Sequence, residues 1–151
     1  MHQTIYYMAK GKGKKQNSGS SGQNRRKTED FLLQNKQKPA IIETASGLQY
    51  EIINDTTGLK PTSTSRVKVH QRAMLLGGKI LDDTYKDATP LEFSLDETIE
   101  GYTEGLQLMS IGSRYRFYIP PELGWGKKGS GGRIGPYALT IFDVALLEIL
   151  D

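Results

Sequence analysis

The chain has no cysteine, one tryptophan and two histidines in 151 residues. Without cysteine there is no disulfide framework and no thiol chemistry. His2 and His70 are far apart in sequence, and no cluster of metal-ligating residue types is visible. No Ser-His-Asp set is apparent either. Asp82 and Asp83 are adjacent, so on a strand they point to opposite faces and cannot work as a paired acid and base. These absences point to an activity that needs no nucleophile, metal, cofactor or titrating base. Long apolar runs are also missing, and nothing approaches the roughly 20 residues that a membrane helix requires. The opening stretch MHQTIYYMAKGKGKKQ lacks the apolar segment and cleavage site of a secretory signal. The expectation is therefore a cytoplasmic protein with no membrane partner.

Charge is unevenly spread. The net value is +3, but residues 1–38 carry nine Lys/Arg against two Asp/Glu, and the remainder carries eleven against fifteen. The basic character belongs to the N-terminal segment, and the body is mildly acidic. Positions 9–27, AKGKGKKQNSGSSGQNRRK, hold no large apolar residue, so burial cannot offset their ordering entropy. Residues 1–27 are accordingly expected to be a disordered basic tail. A solvated tail is the plain reading of GKGKKQ and RRK. Contact with nucleic acid or the ribosome is the other, because clustered cations release counterions from phosphates.

The length fits one domain plus that tail. TEDFLLQNKQK suggests a short helix over residues 28–40, with Thr28 as N-cap, Glu29 and Asp30 in the first turn, and Pro39 beyond its end. From Ile41 the period changes to two. GLQYEII alternates, and RVKVHQRAMLL puts Val67, Val69, Gln71 and Ala73 on one face. Gly77 and Gly78 make a turn, and KILDDTY continues extended. PLEFSL and SRYRFYIP are further strands, and YALTIFDVALLEIL is a long β-type run. Only DETIEGYTEGLQLM breaks the pattern. Its Ile99, Tyr102, Leu106 and Met109 fall at helical spacing. Gly101 and Gly105 lower its helix propensity by about 1 kcal/mol each, which is best tolerated where something approaches the backbone closely. Antiparallel strands and one helix over residues 98–109 make an α+β domain, a sheet curled over a helix, spanning 41–151.

ELGWGKKGSGGRIGP, Glu122 to Pro136, contains six glycines and the lone tryptophan. It lacks the Ser or Thr after lysine that a phosphate-binding loop needs, and a strand follows it rather than a helix. Strands flank it on both sides, which argues against a linker. A structured loop over a pocket remains.

With these motifs in order, the chain resembles the FKBP-type peptidyl-prolyl cis-trans isomerases, and most closely their bacterial, macrophage-infectivity-potentiator-like group. The resemblance rests on SGLQYEII, GKILDDTY, FSLDETIEGYTEGLQLMSIGSRYRFYIPPELGWG and RIGPYALTIFDVALLEIL. It implies an apolar pocket between sheet and helix, with the glycine-rich segment as its flap. It also implies proline-containing polypeptide substrates and macrolide-type inhibitors. Residue by residue, the resemblance puts Tyr102 on the pocket floor, where tryptophan is usual, and Trp125 in the flap, where a tyrosine donates to a substrate carbonyl. Ile99, Ile134, Phe142 and Asp82 match pocket positions. Gln71 stands where tyrosine is usual, Ala73 where glycine is usual, Leu81 where phenylalanine is usual, and Leu91 where an aromatic is usual. Loss of these rings is expected to make the cleft wetter and to weaken inhibitor binding.

Each position has a plainer reading. Tyr102 and Phe142 serve equally as core, and Asp82 as a turn-capping carboxylate. Three functions follow: an isomerase assisting protein folding, a non-enzymatic peptide-binding or chaperone module with a degenerate pocket, and a nucleic-acid-associated factor working through its tail. Only one short N-terminal helix is visible, so a monomer is expected. If the tail only solubilises, residues 1–27 are dispensable for activity.

Overall fold

The computed structural model describes residues 21–151. The expectation for residues 1–20 lies outside the described residues. Seven strands form one antiparallel sheet: β1 (Ile41–Glu43), β2 (Gln49–Asn54), β3 (Arg66–Leu75), β4 (Ile80–Asp83), β5 (Leu91–Ser94), β6 (Arg114–Ile119) and β7 (Thr140–Ile149). Their order is β1-β2-β6-β7-β3-β4, with β5 also pairing β3. Strand β3 is long enough to serve two partners on one edge. Its first half, Arg66 to Val69, pairs β5, and Arg72 to Met74 pair β4.

Among the described residues three α-helices accompany the sheet: α1 (Ser21–Asn35), the single turn α2 (Thr84–Asp87) and α3 (Glu100–Leu106). The face predicted from β3 is the buried one, since Val67, Val69, Gln71 and Ala73 are all inside. Tyr115, Phe117 and Ile119 of β6 face the same core. Helix α3 lies on this concave side, and its glycines explain how. A Cβ on Gly101 would lie 2.6 Å from Ile119 Cγ2, and one on Gly105 would lie 2.6 Å from Phe117 Cε1. The helix therefore sits closer to β6 than any other residue type allows. It is shorter than the stripe suggested. The amide of Leu108 bonds back to Gly105, and that of Met109 to Leu106, so the last turn tightens and ends it.

Helix α1 packs on the opposite, convex face. Phe31 meets Tyr118 with ring centroids 5.8 Å apart, and Phe31 and Leu32 join a second small core around Tyr118, Leu139 and Ile141. Leu33 stays 58% exposed. Two expectations are corrected here. The helix is already formed at Ser21, so residues 21–27 are helical, and Thr28 lies inside it rather than capping it. The reason is tertiary: Thr28 is buried against the segment before β7 and finds its hydrogen bond there. KILDDTY is likewise extended only to Asp83. There the Asp83 carboxylate accepts from the Lys86 amide and starts α2, as a side-chain oxygen at an N-cap does.

Candidate functional site

The concave face holds the aromatic cluster on which the resemblance rests. Tyr102 leaves the first turn of α3 and points into the sheet. Its ring meets Phe142 edge-on at 5.2 Å and 81°, an arrangement that aromatic quadrupoles favour, and lies tilted against Phe93 at 5.6 Å and 60°. Tyr102 is 0% exposed, and its hydroxyl donates to Gln71 Oε1 at 2.7 Å. Gln71 is equally buried. The two departures at 71 and 102 are thus direct neighbours, coupled by one hydrogen bond. The bond engages only the Gln71 carbonyl oxygen; its amide nitrogen is buried with no partner among the described residues. Burial pushes the Tyr102 hydroxyl well above its ordinary pKa, and Tyr85 and Asp82 push it further. It is held as a neutral donor.

Ile99 caps α3 from its N-terminal side, and Leu91 sits on β5 opposite Val69. Leu81 follows on β4, while Asp82, paired with Ala73 across β3, is half-buried. Ile99, Leu91, Leu81, Ile134, Tyr102, Phe142 and Trp125 all belong to one core cluster. Of the nine residues singled out, eight are buried. The cap in this region is Asp83, not Asp82.

The segment before β7 is a structured loop. A 3-10 turn at Pro121–Leu123 leads into it, and the Gly126 amide bonds back to the Pro121 carbonyl. Ser130 and Ile134 exchange two backbone hydrogen bonds, which closes a tight lobe. Gly129 has φ +71, and a Cβ there would collide with the Ile134 carbonyl. Glycine is required at that point for both reasons. Trp125 stands at the base of the lobe, 8% exposed. Its carbonyl accepts from Gly129. Its indole N–H is buried and has no acceptor among the described residues.

Three residues hold this loop in a way that sequence reasoning missed, Thr28 having been read there as a cap. Arg133 donates to the Ile80 and Leu81 carbonyls at 3.1 and 2.9 Å, tying the lobe to β4. Thr28 and Asn24 of α1 hold its exit, donating to the Tyr137 and Pro136 carbonyls. Arg133 carried a legible signal as a bulky cation among glycines. The other two carried none, since their partners lie 109 and 112 positions away.

Comparison with known proteins agrees with this geometry. Residues 58–147 match the family model described as FKBP-type peptidyl-prolyl cis-trans isomerase, and residues 1–52 match the domain amino-terminal to such isomerases. The FKBP-type 22 kDa peptidyl-prolyl cis-trans isomerase of Escherichia coli (strain K12) is 39% identical over 120 residues, covering 80% of this chain and 58% of that one. The outer membrane protein MIP of Legionella longbeachae is 39% identical over 127 residues, covering 84% of this chain and 54% of that one. Among solved structures, a peptidyl-prolyl cis-trans isomerase of Pseudomonas syringae pv. tomato superposes with a TM-score of 0.82 at 30% identity, covering 89% of this chain and 98% of that one. FkpA from Escherichia coli superposes with a TM-score of 0.81 at 32% identity, covering 85% and 60%. The chain spans little more than half the length of these two curated relatives. The curved sheet, the close-packed helix and the glycine-rich loop over an aromatic cluster, together with these matches, make this chain a member of the FKBP-type peptidyl-prolyl cis-trans isomerase family.

Proposed function

We propose that this chain catalyses cis-trans isomerisation of X-Pro bonds in polypeptides, assisting their folding without a covalent step. The supporting observation is the buried Trp125 indole N–H, which lacks an acceptor among the described residues. A buried donor left unpaired costs about 1–3 kcal/mol, and an indole nitrogen donates only. A substrate carbonyl is the partner it fits.

Rotation about an amide faces a barrier of about 18–20 kcal/mol because the twisted bond loses resonance. The twisted form is less charge-separated than the planar one, so a dry aromatic surface favours it. In this reading Tyr102 and Phe142 form the floor, and Ile99, Ile134, Leu81 and Leu91 the apolar walls. Trp125 holds one carbonyl from the flap, and Asp82 stands at the rim. Gln71 acts through Tyr102, fixing its ring by the phenolic hydrogen bond. The family binds proline-containing peptides and macrolide inhibitors. Smaller side chains at Leu81 and Leu91 weaken the inhibitor's contact.

A peptide assay limited by proline isomerisation tests the proposal. Wild type accelerates the reaction; Trp125→Ala lowers kcat/KM by more than about tenfold, one hydrogen bond plus ring contact at roughly 1.4 kcal/mol per decade. Trp125→Phe separates ring from donor. No acceleration by wild type, with proline peptides still bound, replaces this reading with the peptide-binding module. An unchanged rate in Trp125→Ala removes the flap assignment.

The monomer and the cytoplasmic location are proposed alongside. One chain supplies every residue of the candidate site, and among the described residues no helix is long and apolar enough to cross a membrane. Because the Legionella relative is named an outer membrane protein, fractionation of the native host is the measurement that decides location, and sedimentation decides assembly. Nucleic-acid contact through the basic segment is a lesser proposal, tested by salt-sensitive RNA binding.

A further inference from the structure

We infer that helix α1 sets the position of the flap, with Thr28 and Asn24 as positioning residues for the isomerase site; the kinetic part of this inference rests on the function proposed above. The exit of the flap is an uncomfortable piece of backbone. Tyr137 has φ +56, a left-handed conformation without being glycine. Such a residue persists only when its surroundings over-determine it. Its amide donates to the Gly126 carbonyl, which joins the two ends of the flap. Its carbonyl accepts from the buried Thr28 hydroxyl at 2.8 Å. The preceding carbonyl, of Pro136, accepts from Asn24 Nδ2 at 3.1 Å. The Arg25 guanidinium lies 5.2 Å from the centre of the Tyr137 ring.

Packing alone does not hold this junction. A groove of about 390 Å³ runs beside it, lined by Lys27 and Thr28 of α1, by Lys79, and by Gly132, Gly135 and Ala138 of the flap side. Beside the apolar packing of Phe31 and Leu32 on the cluster that holds Leu139, the helix reaches the loop exit through these polar contacts along one edge of the groove. Because Tyr137 is bonded to Gly126, a shift at the exit is passed to the residue next to Trp125. Residues 24–28 are thus part of the site's support rather than a dispensable tail.

Trp125 is the only tryptophan, so its emission reports the flap without substrate. Thr28→Val keeps the buried volume and removes the donor; Thr28→Ser keeps the hydroxyl. We expect Thr28→Val to shift Trp125 emission, to raise its quenching by acrylamide, and to lower kcat/KM by about threefold to tenfold, the span of one hydrogen bond. Thr28→Ser should restore all three. A role in stability alone would lower the melting temperature while leaving the emission of the folded protein unchanged. Emission, quenching and kinetics of Thr28→Val that match wild type overturn the inference. If Thr28→Val does not fold, Asn24→Ala at its half-buried site decides by the same readouts. If wild type proves inactive, the proposed function falls, and emission and quenching still decide whether α1 holds the flap.

Discussion

On β7, Phe142 and Asp143 are neighbours in the chain and face opposite sides of one sheet. Phe142 enters the concave cluster, where rings from three elements meet and the phenol of Tyr102 spends its hydrogen bond on Gln71. Asp143 enters the convex side, where Arg114 grips both its carboxylate oxygens at 2.7 and 3.2 Å, Arg116 adds a third bond, and the Tyr85 hydroxyl a fourth at 3.3 Å. The concave face is held by shape and burial, the convex face by charge with one side open to water. The first should respond sharply to added atoms and little to pH; the second should do the reverse.

The largest effect is expected from Gly105→Ala. The new methyl would press on the buried Phe117 ring, and overpacking of this kind costs about 3 kcal/mol. Urea unfolding measures it. A loss below about 1 kcal/mol would mean that the helix-sheet contact is loose and that the concave face is not governed by shape.

Tyr102→Phe comes next. It removes one hydroxyl and leaves the buried Gln71 amide without its hydrogen-bond partner, at a cost of about 2 kcal/mol. Combining it with Gln71→Met should recover part of the loss, because both polar partners are then gone. A double-mutant cycle should give a coupling of about 1 kcal/mol. Strict additivity would show the hydrogen bond to be energetically idle.

The smallest effect is expected from Asp143→Asn, about 1 kcal/mol at neutral pH, because both arginines are well exposed. Its pH dependence sharpens the comparison. Burial pushes the Asp143 carboxyl up, but the hydrogen bonds and charges of Arg114 and Arg116 outweigh burial and hold it below its ordinary value of 3.8. A depressed carboxylate stabilises the fold above its unfolded pKa and loses that contribution as pH falls through the folded one. The gap between wild type and Asp143→Asn should therefore be constant from about pH 7 down to about pH 5 and shrink below about pH 4. Chemical denaturation at both ends checks it. A gap that persists near pH 2 would show that geometry, not charge, holds this face.

Most of the body was legible in the chain. Strand β3 announced its buried face by alternation, and α3 announced itself by the single departure from period two. Gly101 and Gly105 gave the close approach to β6 before its partners were known. In the candidate site the residues were legible by resemblance, whereas their coupling was not. Nothing local says that Gln71 and Tyr102, 31 positions apart, share a hydrogen bond. The first half of α1 was illegible for a similar reason. SGQNRRK has no apolar stripe, and its helix is held by contacts at its ends and edges rather than by a buried face.

The sequence by itself determined the period of each strand, the place of the helix, the need for glycine in the flap and the absence of thiol chemistry. These depend on residues within a few positions of one another, where backbone geometry and side-chain spacing act directly. Tertiary structure alone decided that Thr28 is an anchor and not a cap, that Asp83 and not Asp82 caps a turn, and that the Trp125 N–H is buried with no acceptor among the described residues. Each of those outcomes turns on which distant groups folding brings within hydrogen-bond reach. That distance, about 3 Å, is set by the packing of whole elements and not by any local run of residues.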